Sequence, residues 1–327
     1  MASRVFAVVL VASLAPGVAD ADVNDLVISR LATRTDTGSG LTVVPQNADF
    51  RSLASELGVV LAPHMMTPAD TLGFGGFQLT VDYATTTIDP TAGYWRAREA
   101  SPDPGGAGGS VHGPSALSTV GFFVRKGMWF PVPAFEVGAG AVHLVDSTIW
   151  TGQLYAKLAL HEGYHQLPLP SLAVRGGVSR MMAQRELDLT VASLDVMVSK
   201  HVGIGGTWNI HPFVGWNLLV IIPRSEVIDA TPQIDPLVMG NETDSQFDFV
   251  FNDQDNIYRH RFVIGTKLQF YVFQLTVEAD FALEGTSLDD RGGTTDACMV
   301  QSTTTNCDAK DASSSQRTLA FSLGLDF

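Results

Sequence analysis

The sequence predicts an all-β protein whose strands form one closed antiparallel barrel. Within the last eleven residues, large apolar side chains occupy alternate positions up to Phe327, and this period of two is typical of a strand with one apolar face. The same alternation recurs in nine earlier segments, and no stretch after residue 21 is apolar over the roughly 18 residues that a membrane-spanning helix needs. An apolar strand at a chain end would expose an aggregation-prone edge, whereas a closed sheet pairs it with the first strand.

Ten segments are long enough to cross a bilayer as tilted strands, which takes roughly 9–11 residues each. The predicted strands cover residues 73–87, 116–126, 134–146, 149–162, 171–182, 187–200, 207–222, 257–271, 272–284 and 317–327. A tight turn near Tyr271 and Val272 joins two of them. The three long connections, 89–115, 224–256 and 285–316, all fall on the side opposite the C-terminus. Long connections on one side and short ones on the other predict a transmembrane up-and-down barrel of about ten strands.

The chain resembles Gram-negative outer-membrane β-barrel proteins, whose final strand ends in phenylalanine after apolar residues at alternate positions. The residues that carry this likeness are Leu319, Phe321, Leu323, Leu325 and Phe327. The resemblance covers the strand series, the export signal and the C-terminal residue, and it indicates no particular transporter or enzyme. It implies a location in the cell outer membrane, contact with outer-membrane lipid and insertion by the barrel-assembly machinery.

The first 21 residues have the features of a cleaved secretory signal. Arg4 precedes an apolar run over residues 5–14, and Ala19-Asp20-Ala21 supplies the small-residue pattern at which such signals are cut. We therefore expect the mature chain to begin at residue 22.

Residues 22–72 differ from the strand series that follows. Phe50, Leu53 and Leu57 recur at spacings of three and four, which predicts an amphipathic helix over about residues 49–62. We expect this N-terminal segment to lie at the periplasmic mouth or to plug the lumen, with the barrel formed by residues 73–327. In the alternative, the segment adds two strands and the barrel has twelve.

The charge of the chain excludes one class of partner. The formal net charge is −14, and no basic patch is available to neutralise nucleic-acid phosphates. Hydrophobic residues make up 45% of the chain, and the mean hydropathy is +0.16. A barrel that turns half of each strand toward lipid has this composition without long apolar runs.

Charged residues on the polar faces of the strands are the candidates for lining the lumen, because ionisable residues in membrane segments face the interior and often mark a pathway. We name Lys157, Arg175, Arg259, Arg261, Lys267, Glu278 and Asp280. Bases of one strand of the tight hairpin are expected to oppose acids of the next. A narrow barrel is equally compatible with charges that pair with each other and fill the interior.

His161-Glu162-Gly-Tyr-His165 matches the H-E-x-x-H pattern of zinc hydrolases, in which both histidines bind the metal from one helix face. The run before it alternates as a strand does, and residues four apart on a strand lie about 13 Å apart, too far to share one zinc. The match is therefore a weak candidate, and we expect no catalytic residues, no metal and no cofactor.

The favoured function is a narrow pore or passive channel for small solutes. One alternative is an outer-membrane barrel enzyme, a hydrolase acting at the outer face. The other is a structural or surface-interaction barrel with a filled lumen. An enzyme is not favoured, since no nucleophile or paired acid stands out.

Cys298 and Cys307 are the two cysteines of the chain, and both lie in the connection before the last strand. Because an exported chain meets an oxidising compartment, we predict that they form one disulfide in an extracellular loop. Mass spectrometry of unreduced protein should show one linked peptide pair. Thiols that alkylate freely in oxidised envelope preparations would contradict this.

Overall fold

The computed structural model describes residues 22–36, 41–101, 114–130, 132, 134–163, 169–205, 207–231, 237, 247–252, 254–286 and 311–327. The expected signal sequence, the two cysteines and His165 lie outside these residues, so those predictions stay predictions. Among the described residues, no helix is long and apolar enough to span a membrane.

The described chain is a series of strands with one helix near its start. In chain order the elements are β1 (Ala32–Asp36), β2 (Leu41–Pro45), α1 (Asn47–Val60), β3 (Phe77–Thr87), β4 (Ala116–Met128), β5 (Phe135–Leu144), β6 (Trp150–His161), β7 (Ser171–Met182), β8 (Leu187–Ser199), β9 (Val202–Ile204), β10 (Trp208–Ser225), β11 (Ile257–Phe270), β12 (Phe273–Ala282) and β13 (Gln316–Asp326). Short 3₁₀ turns occur at Ile28–Leu31 and Gly93–Ala97.

Ten of these strands form one closed antiparallel sheet. Strands β3, β4, β5, β6, β7 and β8 pair in chain order. β8 then pairs with β10, β10 with β11, β11 with β12, and β12 with β13. The last strand returns to the first, with Phe321 opposite Tyr83, so the sheet has no free edge. The short β9 pairs only with the start of β10, and β1 and β2 form a separate hairpin. The ten-strand prediction is confirmed, and the twelve-strand alternative is wrong.

The outer surface of the barrel is apolar and its inner surface is polar. On β11, Phe262 and Ile264 are 49% and 55% exposed, whereas Arg261 and Val263 are buried. The same inside–outside alternation runs through the other barrel strands. An apolar exterior around a closed sheet is the architecture of an outer-membrane β-barrel.

Several exposed aromatic side chains lie near the two ends of this apolar surface, while Phe122 and Phe262 are exposed between the ends. At the end with short turns they include Trp129, Phe130, Trp208, Phe270, Tyr271, Phe273 and Phe327, and Trp150 and Tyr258 lie near the other end. Tyr258 is the second residue of β11 and Phe270 its last, and the two are twelve positions apart. At the usual strand rise and a tilt of about 45°, that is about 28 Å across the membrane, close to the apolar band of such barrels.

The two ends of the barrel differ in the length of their connections. The strand ends that bound the connections 88–115, 226–256 and 283–315 all lie at one end of the barrel, which we call the long-connection end. The opposite, short-turn end carries the C-terminus and the two-residue turn between β11 and β12. Tyr271 takes a positive φ of 53° in that turn, in agreement with the predicted tight hairpin.

The segment before β3 passes through the barrel. Asn24 N donates to Asp146 O at the long-connection end (2.9 Å), and α1 packs there against β8, β10 and β11. Residues 61–72 then run down the lumen to the start of β3 at the short-turn end. Twelve extended residues reach at most about 40 Å, which is enough to cross the membrane. We call residues 61–72 the plug and residues 22–36 and 41–60 the cap.

The cap is a packed unit with its own apolar core. Phe50 of α1 stacks on Phe251 with ring centroids 4.5 Å apart. Glu56 accepts hydrogen bonds from Tyr94 Oη and Trp95 Nε1, both at 2.7 Å. Loops from several strand pairs thus close over the helix and cover the mouth of the barrel.

Phe327 extends the closing seam between β13 and β3 by two main-chain hydrogen bonds. Phe327 N donates to Phe77 O (2.8 Å), and Phe77 N donates to Phe327 O (2.9 Å). We predict that deleting Phe327 sharply lowers the yield of folded protein in membrane fractions, measured by heat-modifiable mobility. Phe327→Ala keeps both main-chain bonds and removes only the ring, so it should fall between wild type and the deletion. An unchanged yield for the deletion would remove the role of this residue.

Candidate functional site in the barrel lumen

The upper part of the plug is held through its carbonyl groups. Leu61 O accepts hydrogen bonds from Gln153 Nε2 (3.2 Å) and Ser179 Oγ (2.8 Å). Pro63 O accepts one from Arg261 Nη2 (2.5 Å). These acceptors have no strand partner, because every barrel strand is already paired on both sides.

One guanidinium group holds the middle of the plug. Arg175 Nη1 donates to His64 O (2.9 Å) and to Met65 O (3.0 Å). Arg175 Nε donates to Asp195, which also accepts from Asn217. The carboxylate therefore fixes the arginine, and the arginine fixes the plug.

A carboxylate on the opposite wall binds the same part of the plug through its amides. Glu278 accepts hydrogen bonds from Met65 N (3.2 Å) and Met66 N (2.6 Å). Met66 has a positive φ of 50°, and such a turn lets successive N–H groups converge on one anion. His64 Nδ1 lies 2.9 Å from Oδ2 of Asp280, two residues along the same strand.

The lower part of the plug is held by a buried ion pair. Lys157 Nζ lies 3.1 Å from Glu136 Oε2 and donates to Pro68 O (3.2 Å) and Asp70 O (2.9 Å). Leu72 N donates to Glu136 Oε2 (3.1 Å). Each partner of the pair thus binds the plug as well as the other charge.

Tyr155 completes this arrangement by donating from its hydroxyl to Glu136 Oε1 (2.8 Å). Its ring lies over Gly138, where any side chain would collide with it. A glycine at this inward position therefore makes room for the tyrosine that fixes the carboxylate.

All the predicted lumen residues are buried on the inner face of the barrel. They are Lys157, Arg175, Arg259, Arg261, Lys267, Glu278 and Asp280. Arg259 lies nearest the cap, where it donates to Ser55 Oγ (2.9 Å) and Ser313 Oγ (2.7 Å). Lys267 lies nearest the short-turn end and pairs with Asp326 (2.7 Å). The residues therefore follow the length of the lumen.

The prediction that bases of β11 lie directly opposite acids of β12 is wrong, because the register of the hairpin places other residues opposite them. Arg261 is opposite Ala282, Lys267 is opposite Thr276, and Glu278 is opposite Gly265. The ion pair that does form is diagonal, with 3.6 Å between Arg261 Nη1 and Asp280 Oδ2. Long side chains reach diagonal neighbours, so a face of mixed charge does not fix the pairing.

Arg125, Glu136 and His64 are ionisable residues of the lumen that were not among the sequence candidates. Arg125 and Glu136 stand alone among small or apolar neighbours on the inward faces of β4 and β5, and strict alternation along those strands would have identified them. Arg125 donates to Gln78 Oε1 (2.8 Å) and Thr80 Oγ1 (2.9 Å). His64 is on no strand, and the sequence carries no signal for its position.

The H-E-x-x-H sequence begins at the last residue of β6. His161 Nδ1 lies 3.2 Å from Pro170 O. Glu162 accepts hydrogen bonds from Thr71 N (3.1 Å) and Oγ1 (2.5 Å), so it contacts the lower end of the plug. His165 lies outside the described residues.

Two glutamates that hold the cap lie outside the membrane-spanning strands, Glu56 buried and Glu186 half-buried. Burial raises the pKa of Glu56, and it also raises the pKa of Glu186, whose Oε2 accepts from Ile28 N (3.0 Å). Both groups hold a proton more tightly in the folded chain than in the unfolded chain. Their contribution to cap stability is therefore largest below the ordinary glutamate pKa and falls as the pH rises through the raised values.

Comparison with known proteins adds little to this description. No family model matches the chain, and no curated protein matches it. Among solved structures, the chain is similar to Ail, the attachment invasion locus protein of Yersinia pestis, with 8% sequence identity and a TM-score of 0.27 over 78% of this chain and 99% of that chain. The fold assignment therefore stands on the closed ten-strand sheet itself.

We predict that Lys157→Met destabilises the protein by about 3–5 kcal/mol, because it leaves the Glu136 carboxylate buried without a cation. The double variant Lys157→Met, Glu136→Gln should recover much of that loss. Leu158→Ala, one position along on the outer face of β6, is the control and should cost less. Urea titration of protein refolded into detergent measures all three. A double variant no more stable than Lys157→Met alone would contradict a coupled pair.

Proposed function

We propose that this protein is an outer-membrane barrel with a filled lumen, which acts through the surface cap rather than as an open pore. The observation that carries the proposal is the plug, whose main chain is hydrogen-bonded to the barrel wall from Leu61 to Leu72. The wall charges expected to line a solute pathway are instead engaged with the plug and with each other.

The orientation of the barrel supports a role at the cell surface. In outer-membrane barrels the short turns face the periplasm and the long connections face outward. That orientation puts the cap on the outside, with the β1–β2 hairpin at its edge. Thr33, Arg34 and Thr35 of this hairpin are exposed, and they offer a surface that does not contribute to closing the barrel.

A passive channel for small solutes remains the second candidate. One observation favours it: the plug is attached to the wall largely by polar contacts, and its removal would leave a lumen lined by charged side chains. If the protein is a channel, the plug is its gate. The structure then represents the closed state, and the open state is the one in which the plug has left the lumen.

Site-specific labelling tests the proposal. In a Cys298→Ser, Cys307→Ser background, we predict that Thr35→Cys reacts with a membrane-impermeant maleimide on intact cells. Tyr271→Cys, exposed in the turn at the other end, is the matched control and should react only after the outer membrane is permeabilised. Labelling of position 271 but not 35 on intact cells would reverse the orientation and remove the surface role.

Planar-bilayer recording of the same refolded protein separates the two candidates. A filled lumen predicts no steady conductance. Regular open events in the full chain would contradict closure and support the channel, and loss of these events on linking the plug to the wall would identify the plug as the gate.

A further inference from the structure

Halfway along the lumen, three potential metal ligands converge from the plug and one wall strand. His64 Nδ1 lies 2.9 Å from Asp280 Oδ2 and 3.8 Å from Glu278 Oε1. One ligand atom of each of the three residues lies within 4.8 Å of the other two. Both carboxylates are buried, and the histidine is nearly so.

This cluster differs from the other buried carboxylates of the barrel strands in its charge balance. Among the described residues, each of the others has a lysine or arginine partner within 4 Å: Asp82 with Arg125, Glu136 with Lys157, Asp195 with Arg175 and Asp326 with Lys267. Among the same described residues, Glu278 has no lysine or arginine within this distance. Asp280 has one, Arg261, whose Nη1 lies 3.6 Å from Asp280 Oδ2. Two carboxylates therefore face one guanidinium, and the cluster is one positive charge short unless a cation or proton joins it.

The spacing of the ligand atoms fits a small divalent cation. Nitrogen and oxygen ligands bound to zinc at about 2.0–2.1 Å in tetrahedral geometry are about 3.3 Å apart. The measured separations of 2.9 and 3.8 Å lie on either side of that value. A cation between these atoms would take the place of the proton that now joins His64 to Asp280.

One further feature indicates that the cluster can accept another ligand or cation. Asp280 Oδ1 is buried, and in the part of the chain that the structure describes it has no hydrogen-bond partner. A cavity on another side of His64, bounded by Asp82 and Gln153 and by neither carboxylate of the cluster, has room for about one water molecule. Three protein ligands and one water complete a four-coordinate shell.

We propose that His64, Glu278 and Asp280 bind one divalent transition-metal ion, with Zn²⁺ the best match to one imidazole and two carboxylates. The ion joins the plug to β12 and brings positive charge to two carboxylates that have a single arginine between them. Its role is structural, since the plug and the cap close both approaches to the cluster. The proposal is independent of the surface role of the cap.

Metal analysis of the full chain tests this site. Tag-free protein is refolded with one equivalent of Zn²⁺ or Co²⁺, passed through a desalting column and analysed by mass spectrometry of the metal. We expect one ion per chain, and with Co²⁺ the intense visible absorption of a four-coordinate site. Glu278→Gln should weaken metal binding by at least about 100-fold, since even second-shell changes cost 10–100-fold.

Two variants serve as matched controls. Glu136→Gln removes another buried carboxylate that holds the plug, and His161→Ala removes a histidine of the H-E-x-x-H sequence; both should keep the full metal content. Equal loss in Glu136→Gln would show that loosening of the plug, not ligation, governs metal content. Loss of the metal in His161→Ala would show that the ion binds at the H-E-x-x-H sequence and would overturn the proposal.

The wild-type protein alone also decides the matter if Glu278→Gln does not fold. Metal far below one ion per chain, with a thermal midpoint unaffected by chelator, would overturn the proposal and leave a shared proton as the balancing charge. A bound Co²⁺ whose spectrum shows no imidazole nitrogen ligand would overturn it as well.

Discussion

The rest of the structure depends on one constraint. The buried polar groups of the plug and those of the inner wall must form hydrogen bonds with each other. A closed barrel uses all of its strand main-chain groups in the sheet, so an inner chain finds no strand edge to pair with. The plug therefore needs side-chain partners, and the wall charges need partners away from water. Arg175 illustrates the exchange, since it neutralises Asp195 and binds two plug carbonyls at once. Loss of either side leaves buried polar groups unsatisfied on the other.

This constraint bears on how the barrel closes. The plug leads directly into β3, and β3 pairs with β13 at the closing seam. The cap at the far end of the plug is a packed unit, anchored by contacts such as the stacking of Phe50 on Phe251. A packed cap cannot pass through a lumen that the plug fills. The plug is therefore enclosed while the sheet is still open, or it is threaded before the cap packs.

The sequence was sufficient to predict the strands, their inward and outward faces and the tight hairpin, because period-two alternation and turn length are local properties. It was not sufficient for the path of the plug. The residues that bind the plug come from β5, β6, β7, β8, β11 and β12, and contacts between such distant segments leave no periodic trace. Glu136 could have been predicted as an inward residue from the alternation along β5. His64 could not, because it lies in an irregular segment between α1 and β3. The diagonal pairing of Arg261 with Asp280 depends on side-chain reach, which the register alone does not determine.

The balance of charge in the wall gives a physical reason to regard these residues as internal supports of the barrel. The described strands place six bases and six acids along the lumen: Arg125, Lys157, Arg175, Arg259, Arg261 and Lys267 against Asp82, Glu136, Asp195, Glu278, Asp280 and Asp326. An ion-selective pathway carries an excess of one sign along its length, as the charged rings of channel filters do. Here the charges cancel in number, and four acids have a lysine or arginine of their own. The local exception is the pair Glu278 and Asp280, which shares one arginine and meets the only histidine of the plug. The place where the wall is least balanced is thus the place where an additional positive charge contributes most to holding the plug.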